Sequence, residues 1–132
     1  MEFLLDTHTL LWWYTNQSKL SRTTYKIIED PYNDIYYSPL NLWEVVLKYQ
    51  KGKLNLADRK PDEFLDMIEA DEDFRYLELL PGSVATSYQL PQRHTDLFDR
   101  MLAWEAMQHD LILLSSDESL RAYEQDGLRI IS

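Results

Sequence analysis

Asp6 is the only acidic residue between Phe3 and Ile28, and it directly follows the apolar run Phe3-Leu4-Leu5. An ionised carboxylate set among Leu10, Leu11, Trp12 and Trp13 is costly unless something compensates it. It either caps the helix that follows or meets a cation. Three further segments raise the same question. Glu44 is the sole charge between Asn41 and Leu47 in NLWEVVLKYQKGKL. In HTDLFDRMLAWEA, Asp96, Asp99, Arg100 and Ala103 fall at i, i+3, i+4 and i+7, so one helical face carries two acids and a guanidinium. Asp117 follows the apolar strand of LILLSSDESL, after Ser115 and Ser116.

Each position also has a plain structural role open to it. Asp6 and Asp117 suit helix starts, and acids are common in the first turn, where Asp99 falls. Glu44 and Lys48 form an i, i+4 pair, worth about 0.2–0.5 kcal/mol on an exposed helix, and Arg100 can pair with Asp96. His94 reads as a loop residue, and a lone histidine is weak ground for a ligand. These roles explain the spacing but not the apolar crowding around Asp6 and Glu44. Taken together, up to five carboxylates from strand ends and helix starts make an all-oxygen donor set, which suits hard cations such as Mg²⁺ or Mn²⁺. Such ions activate water and stabilise in-line displacement at phosphorus. The chemistry anticipated is phosphodiester hydrolysis.

For these acids to meet, the elements must bring them to one edge. The pattern predicts strands over Glu2–Asp6, Ile35–Ser38, Tyr76–Leu80, Leu111–Leu114 and Arg129–Ile131. Between them it predicts helices over Thr7–Tyr14, from the cap Ser21 to Asp30-Pro31, over Asn41–Lys51 with Gly52 at the C-terminal cap position, and from Pro61 onward. Further helices are expected over Ser83–Tyr88, Leu97–His109 and Asp117–Glu124, the last behind a Ser cap. Strands alternating with helices imply an α/β fold: a mainly parallel central sheet of about five strands with helices on both faces. Ligands in such folds sit beyond the carboxyl ends of the strands, where strand order reverses.

Composition sets the outer bounds. With 132 residues, 45% of them hydrophobic, the chain fits one compact domain spanning 1–132. Cysteine is absent, which excludes thiolate metal sites and a cysteine nucleophile and suits a reducing cytosol. Glu2 and Asp6 stand where a signal peptide would be basic, and no apolar run approaches the roughly 20 residues of a membrane span. A cytoplasmic protein without a membrane partner is expected. The net charge of -10 argues against a broadly basic nucleic-acid surface, unless bound metal inverts the local charge.

The ordered segments FLLDTHTLLWW, NLWEVVLKYQKGKL, HTDLFDRMLAWEA and LILLSSDESL resemble the PIN-domain family. More narrowly, they resemble its toxin ribonucleases of VapBC-type toxin–antitoxin systems, in the branch with L-W-E and H-x-D-x-F-D-R segments. The resemblance implies a compact α/β/α domain and Mg²⁺- or Mn²⁺-dependent endoribonuclease activity, leaving a 5′-phosphate and a 3′-hydroxyl. It assigns Asp6, Glu44, Asp99 and Asp117 as the metal-binding acids, with Asp96 in the same motif as a candidate fifth ligand. Thr7 and Ser115 take positions of family hydroxyls near the metal water or phosphate, and Arg100 and Lys48 are expected to meet the phosphate or hold the acids. It further implies a homodimer silenced by a cognate antitoxin. The chain departs from the family pattern at Asn41, where Ser often precedes L-W-E, at Leu97, usually Pro, and at Ser115, usually Thr.

Other classes fit less well. A receiver-like phosphoacceptor would have an acidic pair near the first strand, whereas Asp6 is followed by Thr7-His8, and it would have a Lys near Ser115-Ser116-Asp117. A haloacid-dehalogenase-type phosphatase would have D-x-D, but His8 stands at the second position. A catalytically silent PIN-like binding module is the remaining alternative. It would use Trp12, Trp13, Tyr36 and Tyr37 as interface anchors, although aromatics at these spacings usually face a core.

Overall fold

The computed structural model describes residues 1–132. Its frame is a five-stranded sheet in the order β3-β2-β1-β4-β5, and every pair is parallel. The strands are β1 (Glu2–Leu5), β2 (Asp34–Tyr37), β3 (Phe74–Tyr76), β4 (Ile112–Leu114) and β5 (Arg129–Ile131). Side-chain alternation along these short strands builds two cores. Phe3, Leu5, Ile112 and Leu114 face one side, while Leu4 and Leu113 face the other.

The first core is covered by α1 (Thr7–Thr15), α2 (Arg22–Glu29) and α4 (Pro61–Ala70), through Leu10, Leu11, Ile28, Phe64 and Ile68. The second is covered by α6 (Leu97–Gln108) and a 3₁₀ segment (Glu118–Asp126), through Leu102, Ala103, Ala106, Leu120 and Tyr123. Helix α3 (Pro39–Gln50) serves both, since Val45 belongs to the first core and Leu40 to the second. A short helix, α5 (Pro81–Thr86), precedes the loop that leads into α6. No helix is long and apolar enough to cross a membrane.

Three predicted boundaries move. The third strand is Phe74–Tyr76 rather than Tyr76–Leu80, because the ladder pairs Phe74 with Ile35 and Tyr76 with Tyr37. Leu77 still donates its N–H to the Tyr37 carbonyl at 2.8 Å, but the chain then leaves the sheet for Pro81. Helix α3 starts at Pro39, not Asn41: Ser38 is its N-cap, and Asn41 closes a capping box on the Ser38 N–H at 2.7 Å. The segment after β4 is a 3₁₀ helix whose cap is Asp117 itself, its carboxylate accepting from the Ser119 N–H at 3.0 Å.

From β1 the chain builds outward through β2 and β3, then returns to the other side of β1 with β4 and β5. The order therefore reverses between β1 and β4, whose carboxyl ends lead into Asp6 and Ser115. This is the topological position at which parallel sheets open a ligand crevice.

Candidate metal centre at the switch point

Asp6 does cap α1, accepting from the Thr9 N–H at 2.8 Å. The cap occupies only Oδ1, and the residue is 3% exposed. Its own N–H donates to the Leu114 carbonyl at 3.0 Å, and the Thr9 hydroxyl donates to the same carbonyl at 3.2 Å, so the end of β4 is tied to the start of α1. Burial pushes the Asp6 carboxyl above its ordinary range, against opposing hydrogen bonds from Ser115 and Thr9. Ser115 is buried, and its Oγ accepts from the Asp117 N–H at 3.1 Å. The serine thus links the first and last acids.

Asn41 fixes the opposite wall. Fully buried in the first turn of α3, it donates from Nδ2 to the Leu5 carbonyl at 3.1 Å and to Thr7 Oγ1 at 3.2 Å. One helical turn on, Glu44 is 3% exposed. Its Oε2 lies 2.8 Å from Lys48 Nζ, the i, i+4 pair anticipated, while Oε1 is buried without any hydrogen-bond partner. An orphaned carboxylate oxygen is expensive inside a protein.

The third wall is the first turn of α6. Asp96 is its N-cap, accepting from the Asp99 N–H at 3.0 Å. Arg100 makes no ion pair with Asp96, and its Nε is buried without a partner. The Asp99 carboxyl is pushed up to about 7, first by burial and then by the charges of Asp96, Glu44 and Asp6, with His94 opposing. Acids from the end of β1, from α3 and from the start of α6 therefore share one electrostatic environment.

His94 joins Asp117 to this group. Its Nε2 lies 2.9 Å from Asp117 Oδ2 and 3.7 Å from Asp99 Oδ2, so the imidazole stands between two candidate ligand carboxylates. The Asp96 N–H donates to His94 Nδ1 at 3.0 Å, so the ring proton sits on Nε2 and points at Asp117. Burial raises the Asp117 pKa, but hydrogen bonds from Ser119 and His94 together outweigh it and leave the group below its ordinary range. In the sequence His94 reads as a loop residue and Asn41 as a departure from the family pattern. The signals that would have found them are a polar residue inside an apolar helix and a histidine two positions before a cap.

The donor set that results is carboxylate oxygen, with one orphaned acceptor and mutually repelling charges, which fits a hard divalent cation. Among curated protein sequences none shows significant similarity to this chain. Solved structures with the same fold include the VapBC2 complex of Rickettsia felis bound to a promoter DNA fragment, at 14% identity and a TM-score of 0.67, covering 99% of this chain and 98% of that one. The DNA-bound VapBC of Salmonella typhimurium aligns at 19% identity and a TM-score of 0.67, over 99% and 97% of the two chains. FitAcB of Neisseria gonorrhoeae aligns at 20% identity and a TM-score of 0.65, over 100% and 97%. Identities this low speak for the fold alone. The PIN domain family matches residues 3–125, nearly the whole length, and the chain belongs to that family.

Proposed function

We propose that residues 1–132 form a single PIN-like domain that acts as the toxin of a VapBC-type toxin–antitoxin pair, an endoribonuclease dependent on Mg²⁺ or Mn²⁺. The observation that carries this reading is the meeting of buried acids at one sheet edge: Asp6 and Glu44 are each 3% exposed, Glu44 Oε1 has no hydrogen-bond partner, and burial, together with Asp96 and these two acids, pushes the Asp99 carboxyl up to about 7. Crowded acids destabilise a fold unless a cation joins them. Asp6, Glu44, Asp99 and Asp117 would hold that ion, with Asp96 at its border and Glu44 Oε1 as a ready ligand atom. A divalent cation held by these carboxylates would supply an acidified water and charge neutralisation for an in-line displacement, the chemistry that leaves a 5′-phosphate and a 3′-hydroxyl.

The protein's own groups prepare the site. Thr7, 1% exposed, accepts from Asn41 through Oγ1, which fixes the hydroxyl next to Asp6 in the chain, where it would face the metal water or phosphate. Lys48 orients Glu44 and partly neutralises it, and the half-buried Arg100 supplies a second cation beside the acids. Ser115 holds Asp6 and Asp117 in place. The fold neighbours are toxin–antitoxin assemblies, which supports a cognate antitoxin as the silencing partner. A homodimer is supported by an apolar cavity of about 240 Å³ beside α3 and α6. Trp43 and Leu97 on its rim are each 56% exposed.

Purified protein is expected to cleave RNA with Mg²⁺ or Mn²⁺ and to stop with chelator, and Asp6→Asn and Asp99→Asn should be folded but inactive. Cleavage that persists in both variants removes the mechanism. A folded wild type that neither cleaves RNA nor gains thermal stability from Mn²⁺ favours the silent binding module instead.

A further inference from the structure

A cavity of about 340 Å³ opens between α1 and the segment joining α3 to α4, lined by His8, Trp12, Asn16, Lys19 and Asn55 among others. This lies at the lower end of the roughly 300–1,000 Å³ typical of small-ligand pockets. The acids do not line it. Trp13 and Tyr14 pack against the first core, whereas Trp12 packs against neither. Trp12 instead tilts against His8 with ring centroids 5.6 Å apart, and the Lys19 ammonium stands 5.9 Å from its centroid. An indole that no core uses, lining a cavity between an imidazole and a cation, offers aromatic surface on which a planar ring can pack.

The rim is polar in a specific way. Asn16 Oδ1 is engaged by the Ser18 hydroxyl and Asn55 Oδ1 by the Ala57 N–H, which leaves both amide nitrogens without a protein partner. Local charge also runs against the chain's net -10. Five of the 13 Lys and Arg lie between Lys48 and Lys60, where Asp58 is the only acid. Lys48 is engaged with Glu44, but Lys51, Lys53 and Arg59 are exposed and make no ion pair. A cationic border of this kind suits a polyanion and repels a basic peptide. Trp12 lies six residues beyond Asp6 on α1, about 9 Å along the helix axis, within reach of a nucleotide flanking the cut.

We propose that this cavity is a nucleobase subsite, in which a base of the RNA strand stacks on Trp12 and meets the Asn16 and Asn55 amides at its edge, while its phosphates follow Lys51 and Lys53. The inference rests on the ribonuclease reading for its substrate class, but binding can be measured without cleavage. The probe is a short fluorescein-labelled single-stranded RNA of mixed sequence, followed by anisotropy on the Asp99→Asn protein. Adding Trp12→Leu should raise Kd about 5-fold or more, the lower bound for loss of one base–aromatic stack, and Trp12→Phe should restore most of it. The double change Lys51→Gln with Lys53→Gln, at exposed positions where folding is not at stake, should weaken binding and flatten the log–log salt slope by about 1.4.

Equal affinities for parent, Trp12→Leu and the lysine double variant overturn the subsite, and leave the ribonuclease reading standing if wild type cleaves RNA. Absence of RNA binding by the parent overturns it as well. A Trp12→Leu defect seen only with a synthetic Arg- and Leu-rich peptide would make the cavity a protein-partner groove and overturn the base assignment. Trp12-dependent RNA binding in a wild type that never cleaves supports the subsite while the ribonuclease reading fails.

Discussion

His94 holds Asp117 with a proton whose position is set by a third residue. Its Nδ1 accepts from the Asp96 N–H at 3.0 Å, so Nε2 donates across 2.9 Å to Asp117 Oδ2. The same Asp96 caps α6 by accepting from the Asp99 N–H at 3.0 Å. One loop residue thus couples the start of α6 to the acid that follows β4. Its role is positioning, because as a donor Nε2 has no lone pair for a cation.

Removing that donor should loosen Asp117 rather than delete a ligand. Loss of a partner that orients a ligand typically costs about 10–100-fold in metal affinity or activity, and His94→Ala is expected to fall in that range. His94→Gln, which can both accept from Asp96 and donate to Asp117, should recover part of the loss. Mn²⁺ titrations followed by melting temperature read this independently of cleavage. A variant pair with identical metal affinity would show that His94 only packs the loop.

The Asp99 carboxyl gives a pH prediction with a definite sign. Its pKa is raised from 3.8 to about 7 in the folded protein, so between those values the native state binds more protons than the unfolded one. Metal-free stability should therefore fall as pH rises from about 4 to about 7, by up to a few kcal/mol, and level off above. Asp6, also raised, acts in the same direction. Asp117 is lowered, so its smaller contribution is present above its unfolded pKa and fades in acid. Asp99→Asn should flatten the profile and stabilise the metal-free protein at neutral pH, as melting curves across pH would register.

Asn41 tests how the walls are joined. It is fully buried, accepts from the Ser38 N–H at 2.7 Å, and donates to the Leu5 carbonyl and Thr7 Oγ1 at 3.1 and 3.2 Å. Asn41→Ala strands these groups, at about 1–3 kcal/mol for each one left unsatisfied. A fall in urea midpoint of that order is expected, with Asn41→Asp failing as well because it cannot donate to the Leu5 carbonyl. A neutral Asn41→Ala would mean that water replaces the side chain.

These residues also mark how far the sequence could be read. Asp6 and Glu44 stood out because each is a lone charge in an apolar segment, a signal that needs no knowledge of the fold. The five strands were legible as short apolar runs bounded by turns. Their pairing was not, and this is why β3 was expected at Tyr76–Leu80: Leu77 is buried and mimics a strand position, but it packs with the second core beyond the ladder. His94 and Asp117 lie 23 residues apart, a contact only the folded sheet creates. Spacing likewise could not separate Trp13, which faces a core, from Trp12, which does not.

The apolar cavity beside α3 and α6 predicts a dimer. Trp43 and Phe98 meet edge to face at 5.5 Å on its wall, and Leu97 projects beside them with 56% exposure. Leu97→Asp adds a charge to a surface that a second copy would desolvate, which is expensive. Light scattering should show a dimer for wild type and a monomer for Leu97→Asp, with the melting temperature of the monomer lower and no longer dependent on concentration. A wild type that is monomeric at every concentration sinks this prediction.

Glu44 and Lys48 should move the Asp99 titration in opposite directions. Glu44 is one of the three carboxylates that raise Asp99, and Lys48 lies 2.8 Å from Glu44 Oε2. In Glu44→Gln a negative neighbour is lost, so the Asp99 midpoint should drop below 7. In Lys48→Met the negative charge of Glu44 is no longer offset, and the midpoint should rise. Carboxyl ¹³C shifts measured against pH on metal-free protein separate the two. Shifts of the same sign would mean that both substitutions act by changing the burial of Asp99 instead of its charge environment. Opposite signs would establish that Glu44 and Asp99, on different helices, are coupled through charge, as acids arranged around one cation must be.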